Sequence, residues 1–453
     1  MAATAAVDVS DIIDRRVITP FQYRTLLLCM AVLFMDGYDT QAIGYVAPAL
    51  VGAWHVDKAA LAPVFALGLV GLMIGGLVFG PLADRFGRKR FIAVSITLFG
   101  IFSLLSAFAG SLHALLLLRF LTGLGLGGAM PNAVALGVEY FPRRLRATAV
   151  TVVFVGFTIG AAIGGFIAAS LMPAFGWPSV FVVGGAVPLL MLPVLLIALP
   201  ESVTLLILHR RPGAEILRHL RRIDPTLSAG TETRFTAREE SRRGVPVKHL
   251  FTDGRAVGSA LLWLIFFLSL LVTFLLTSWM PIVFSNAGLA LGRAVAATAM
   301  WQVGAMVGTL AIGRLMDRFN PYGALATGFV VGAIAVLALV MVGAALPFPL
   351  ALLLIFVVGC LQGTGGTQGA NALAGWYYPT FIRSTGVGWA LGIGRIGSIV
   401  GTLLGGALIS LHWHPSSIFF VAALAGLCSA AAVLAMRRFG GPTDRVREMS
   451  VET

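Results

Sequence analysis

Apolar runs of about twenty residues recur along the whole chain, and each is long enough to cross a hydrocarbon layer as a helix. They fall at about 25–48, 61–82, 91–110, 113–138, 146–170 and 177–199. After a long polar stretch they resume at about 256–280, 294–315, 323–345, 348–373, 384–410 and 416–436. A backbone inside lipid must satisfy its own hydrogen bonds, so runs of this kind fold as helices. The fold class expected is therefore all-α: a polytopic membrane protein with twelve transmembrane helices in two six-helix bundles.

Composition agrees. Only 11% of the 453 residues are charged and 58% are hydrophobic, against roughly 25% charged in an ordinary soluble domain. The boundaries expected are a cytoplasmic N-terminal segment (1–24), an N-terminal bundle (25–200), a central loop (201–255), a C-terminal bundle (256–436) and a short tail (437–453). Part of the central loop is expected to lie as a helix on the membrane surface. The start, MAATAAVDVSDIIDRR, is polar and partly acidic, so no cleavable leader is expected.

A formal net charge of +13 could signal a nucleic-acid partner, but its distribution argues otherwise. Arg15, Arg16, Arg24, Arg85, Arg88, Lys89, Arg90, Arg143, Arg144, Arg146, Arg314, Arg318, Arg383, Arg437 and Arg438 share one face with the arginines of the central loop. Only Lys58 and Arg293 fall on the other. Basic residues stay cytoplasmic, so both termini are expected inside, with the bilayer and not nucleic acid as the partner. Cys29, Cys360 and Cys428 lie far apart in apolar segments, with neither metal nor disulfide spacing.

The halves repeat. GPLADRFGRKR at 80–90 returns as GRLMDRFNPYG at 313–323, an offset of 233, and GVEYFPRRLRATAV at 137–150 returns as GWYYPTFIRSTGV at 375–387, an offset of about 237. Paired bundles of this kind carry their site between the halves near mid-bilayer.

Four charges stand inside the spans: Asp36 and Asp39 in helix one, Arg119 in helix four and Arg395 in helix eleven. Each costs about 3 kcal/mol on insertion scales, so two acids with two bases is the balance that burial demands. Asp36 and Asp39 are three apart and share a helix face. Arginine stays charged whereas a buried carboxylate can titrate. Hence Arg395 is expected to hold a substrate carboxylate in a bidentate pair, and Asp36 and Asp39 to take up protons, tuned by Arg119. Similar depth to Arg119 favours Asp39 over Asp36 as the proton carrier. Glu139 ends helix four beside Arg143, Arg144 and Arg146 and is expected in a gate network.

Helices three, six, nine and twelve hold no ionisable residue and read as lipid-facing. The others carry the polar and aromatic side chains: Tyr38, Asn132, Trp279, Trp301, Gln302, Gln362, Gln368 and Asn371 are the candidates for contacting a substrate, together with Trp389. For each of these, helix packing is the competing role. GLGLGG at 123–128 and GTGGTQG at 363–369 imitate nucleotide loops, but neither follows a strand and no Walker sequence occurs. An intramembrane aspartyl protease would need carboxylates from separate helices, whereas Asp36 and Asp39 share one; an enzyme is not expected.

GPLADRFGRKR resembles the loop after helix two that marks the major facilitator superfamily. The resemblance implies a cytoplasmic latch formed by Gly80, Asp84, Arg85, Gly87 and Arg88, with a weaker echo at Asp317 and Arg318. A narrower resemblance covers almost the whole chain. MDGYD in helix one, RFLTGLGLGGAMPN in helix four, VEYFP after it, SWMP in helix seven and GIGRIGSIVG in helix eleven are together similar to the aromatic acid:proton symporters. It implies a bacterial inner-membrane protein, working as a monomer, that imports a benzoate-like carboxylate with protons. No cofactor is expected beyond the proton gradient. The alternatives are carriage of a non-aromatic organic anion, or export. GFTIGAAIGG in helix five is similar to an antiporter signature but has Ala161 where that signature has proline.

Overall fold

The structure is a computed structural model that describes residues 7–209, 211–227, 235–236, 247–252, 254–342, 346–378, 382–414 and 416–438. Twelve of its helices are long and apolar enough to cross a membrane. Helices one to six run Pro20–Trp54, Ala62–Phe86, Arg88–Ser106, Leu112–Glu139, Arg146–Phe175 and Pro178–Ala198. Helices seven to nine are Ala256–Asn286, Leu291–Arg318 and Pro321–Val342; eleven and twelve are Arg383–Ser410 and Ser417–Arg437.

Local chemistry sets the ends of helix one. Pro20 occupies its first turn, where a missing N–H is harmless, and the Gln22 side chain accepts from the Thr19 N–H at 2.8 Å. It stops where His55 turns left-handed, at φ 50°. Helix ten differs from the single span its hydropathy predicts. It is Phe348–Gln362 followed by Thr364–Tyr377, because Gly363 takes ψ −141° and interrupts the ladder. The sequence GTGG at 363–366 gives the backbone freedom to do so.

Each half is bound together by glycines set against a neighbouring backbone. Gly160 of helix five lies on the Phe34 carbonyl of helix one; 237 and 233 residues on, Gly397 of helix eleven lies on the Phe267 carbonyl of helix seven. Gly71 and Gly75 of helix two meet helix four at Phe120 and Leu124. At the offset of 233, Gly304 and Gly308 of helix eight meet helix ten at Phe356 and Cys360. The repeat extends to the loops: Arg146 donates to the Phe141 carbonyl and Arg383 to that of Tyr378, each at 3.3 Å.

Between the halves, the described contacts gather towards the ends remote from the termini. Trp279 meets Phe65 edge to face at 5.3 Å, Gly406 packs on Ala62, and Gly292 on Ala169. Towards the termini the facing helices part: Leu77 of helix two is 71% exposed, and Gly388 and Gly392 of helix eleven have no neighbouring side chain. The described contacts between the halves are thus concentrated at the end remote from the termini.

A small cap covers the termini end of the first half. The helix Val9–Arg15 buries Val9 and Ile13, and Gly213–Leu220 buries Ile216, Leu217 and Leu220, in one cluster with Ile92, Ile96 and Leu199. The apolar face of the central-loop helix is thus occupied by protein, not by a membrane surface. Val7–Asp8 pairs in parallel with Phe235–Thr236, the only β structure among the described residues. The REESRRG stretch and the tail beyond Arg438 lie outside the described residues.

Candidate functional site

Helix one delivers Asp36 and Asp39 to two tiers, one helical turn apart. In the outer tier the Arg119 Nη1 lies 3.1 Å from Asp39 Oδ2. Its Nη2 donates to Ser106 Oγ at 2.9 Å and to Thr122 Oγ1 at 3.0 Å. Ser103 donates to the second oxygen of Asp39, and the guanidinium carbon sits 4.6 Å over the Phe181 ring. Both charged side chains are buried. Helices one, three, four and six therefore converge on a closed, hydrogen-bonded pair, the condition under which buried ions are tolerated. Helices three and six, read from sequence as lipid-facing, supply Ser103, Ser106 and Phe181. Serine and phenylalanine in an apolar run carry no signal of such a role.

A narrow cleft of about 40 Å³ opens beside this tier, with Asp39, Thr40, Gln41, Arg119, Thr122 and Ser278 on its wall. Phe65 also lines it, so the outer seal and the ion pair share one space.

In the inner tier, Asp36 is fully buried. Its Oδ1 accepts from Thr40 Oγ1 at 3.0 Å, while Oδ2 has no partner. Arg395, half-buried on helix eleven, reaches helix four through Met130, with Nη2 3.8 Å from its sulfur. Leu126 lines the cleft and Met130 lies one turn beyond it, so Arg395 sits at the cleft's inner rim. Among the described residues it makes no ion pair. The two aspartates, which share a helix face in sequence, thus diverge in partner: Asp39 to Arg119 of helix four, Asp36 to Thr40 of its own helix.

The uncharged candidates scatter. Tyr38 donates to the Val180 carbonyl at 3.0 Å and is wedged against Gly164 and Gly184, inside the first half. Asn132 bonds back to the Gly128 carbonyl of its own helix at 2.8 Å. Trp279 donates to the Thr402 carbonyl at 2.9 Å and seals the outer side. Trp301 is buried where Gly359 crosses its backbone. Gln362 donates to the Phe329 carbonyl and packs on Gly332 and Gly426 of helices nine and twelve. Gln368 and Asn371 bond to each other at 3.4 Å. Trp389 stacks on Trp263. Trp301 Nε1, Gln302 Nε2 and Gln362 Oε1 are buried without a partner, and of these three residues Gln302 is the one whose face is turned across the molecule. It lies one turn from Ala299, which meets Gly165 of helix five, so that face of helix eight looks to the opposite half.

At the termini end, Arg88 holds Glu139 at 3.1 Å and Asp84 at 3.5 Å. Glu139 also accepts from Ser202 Oγ at 2.6 Å and from the Thr204 N–H at 2.7 Å. Glu201 accepts from the Lys89 N–H at the start of helix three, beside Gly87, whose φ of 115° a side chain would strain. Arg85 and Arg318 are exposed beside Phe86 and Phe319. Gly80 has open space around it, and the Asp317 side chain lies outside the described residues. All these described bonds stay within the first half; the latch groups are gathered but do not reach the second. Glu201, Ser202 and Thr204 were not legible as partners, because helices five and six intervene between them and Glu139.

Comparison with known proteins agrees with this architecture. The Major Facilitator Superfamily model matches residues 29–374. A gallate transporter of Pseudomonas putida is 40% identical, over 95% of both chains. A 4-hydroxybenzoate transporter of Pseudomonas aeruginosa is 39% identical, over 96% of both. A solved D-xylose–proton symporter superposes with TM-score 0.70 at 18% identity, covering 93% of this chain and 98% of its own. The chain is a multi-pass membrane protein of the Major Facilitator Superfamily, a transporter and not an enzyme, and it belongs to the family that contains those aromatic-acid carriers.

Proposed function

We propose that this chain imports an aromatic carboxylate together with protons, by alternating access, across a bacterial inner membrane with both termini in the cytoplasm. The observation that carries the reading is Arg395: a cation between the halves, half-buried, with no ion pair of its own. A guanidinium in that position suits a carboxylate, which it can grip with two parallel hydrogen bonds. The buried Gln302 Nε2, without a partner on the face of helix eight that looks to the first half, offers a further donor. Gallate and 4-hydroxybenzoate, named for the relatives, are ring carboxylates with hydroxyls, and supply the substrate class. With the basic face inside, the end at which the halves meet is the outer one, as expected of a carrier that releases its substrate to the cytoplasm. The proton gradient supplies the energy and no cofactor is required.

Uptake of a panel of labelled ring carboxylates into proteoliposomes under an imposed pH gradient tests the reading. Accumulation above equilibration for at least one supports it. Equilibration only, for every ring acid tried, overturns it.

A further inference from the structure

The two aspartates of helix one have unlike surroundings, and the difference assigns them unlike work. Asp39 is saturated: Ser103 holds one oxygen, Arg119 the other, and Arg119 is itself fixed by Ser106, Thr122 and the Phe181 ring. Protonating Asp39 would leave Arg119 as a buried cation with no counter-charge, an expensive state. Asp36 is buried as deeply, yet keeps an oxygen with no donor. A lone buried carboxylate oxygen is stabilised when a proton occupies it. The charges on and around helix one near Asp36 are few: Asp39 three residues on, Arg119 of helix four, which Asp39 holds, and Arg395 of helix eleven; His113 and Glu139 of helix four lie at its ends. Helices six and seven contain no Asp, Glu, Lys, Arg or His, and helix five has only Arg146 at its start.

We infer that Asp36 is the group that takes up the coupled proton, while Asp39 stays ionised as the fixed counter-charge of Arg119, with Ser103 and Ser106 as its positioning residues. This rests on the transport reading above and reverses the preference that depth alone gave to Asp39. The coupling is a matter of charge. With the site empty, Asp36 is the counter-charge for Arg395. When a substrate carboxylate binds Arg395, a second anion in the same dry tier is unfavourable, so Asp36 gains a proton from the outer water, forming an O–H bond. On the cytoplasmic side the substrate leaves, Arg395 again needs an anion, and Asp36 returns that proton to the inner water. One carboxylate replaces another, and the site carries the same net charge when loaded as when empty.

The inference is read most directly without substrate, by infrared pH-difference spectra of the purified full-length protein in lipid. The carbonyl stretch of a buried protonated carboxyl is expected in the wild type and lost in Asp36→Asn. It is retained in Asp39→Asn/Arg119→Gln, which removes the fixed pair together and leaves no orphan charge. Asp36→Glu should keep a shifted band, and the amide band in the same spectra reports whether each variant remains helical. A band that survives Asp36→Asn, a band lost in the double variant, or no band in the wild type overturns the assignment. In proteoliposomes, Asp36→Asn should exchange labelled for unlabelled substrate but lose accumulation under a pH gradient; retained accumulation overturns it as well. Failure of the wild type to accumulate any ring acid would sink the transport reading while leaving the infrared assignment standing.

Discussion

Arg119 and Asp39 meet at 3.1 Å in the interior of the first half, the one described ion pair with both side chains buried. Removing one partner strands the other. Asp39→Ala is expected to destabilise the protein by about 3–5 kcal/mol, seen as a lowered melting temperature in detergent. The double variant Asp39→Asn/Arg119→Gln should melt well above Asp39→Ala. Equal losses would mean the pair is not mutually compensating.

Arg395→Lys keeps a positive charge but loses the planar fork. The expected cost in binding a ring carboxylate is about 1.5–3 kcal/mol, roughly ten- to a hundredfold in affinity, measured by titration calorimetry on the purified protein. Unchanged affinity would remove Arg395 from the site.

How much of this was legible beforehand depends on the kind of signal. Twelve spans, the repeat and the four intramembrane charges stand out because lipid makes each of them costly or obligatory. The pairing of Asp39 with Arg119 was anticipated from depth alone. Ser103, Ser106, Thr122 and Phe181 were not, since hydroxyls and rings are ordinary inside apolar helices. The tryptophans and glutamines were ambiguous for a related reason. Trp279 and Gln362 satisfy themselves on backbone carbonyls of neighbouring helices, and sequence does not separate that use from ligand contact. The split of helix ten at Gly363 was hidden because hydropathy runs unbroken through it.

Trp279 closes the outer side through Phe65 and the Thr402 carbonyl. Trp279→Ala should cost about 3–5 kcal/mol in stability and loosen the seal. A cysteine placed at Ser278, which lines the cleft, should then react faster with a membrane-impermeant thiol reagent added to the side remote from the termini. No change in rate would show that the ring is packing without gating.

The cap should respond to acid. Thr226 hydrogen bonds, with Arg16 at 2.9 Å, hold the Asp224 carboxyl below its usual range. A depressed value means the contact stabilises docking above the ordinary carboxylate pKa of about 3.9 and is lost as pH falls through the lower, folded-state value. Amide hydrogen exchange in Val9–Arg15, corrected for intrinsic rates, should rise over that acidic window. Asp224→Asn should raise it already at neutral pH and flatten the response.

Gly160 and Gly397 occupy twin positions, each against a backbone carbonyl of the neighbouring helix. Alanine at either should cost about 1–3 kcal/mol by overpacking, with similar losses in melting temperature at both. A loss at one alone would mean that the two bundles are not mechanically equivalent.

Those glycine seams also say where the molecule can bend. Backbone laid on backbone has no rotamers to rearrange, so it is either intact or broken, with no intermediate fit. The tightest seams lie inside each half, whereas between the halves the glycine contacts are looser, Gly44 on the Thr277 carbonyl and Gly292 on that of Ala169, and side chains such as Phe65 and Trp279 that can repack share the surface. Each bundle therefore behaves as a block, and the compliance of the whole protein is concentrated in the surface between the two blocks. The buried Arg119–Asp39 pair is internal to one block, so motion between the blocks would leave it intact.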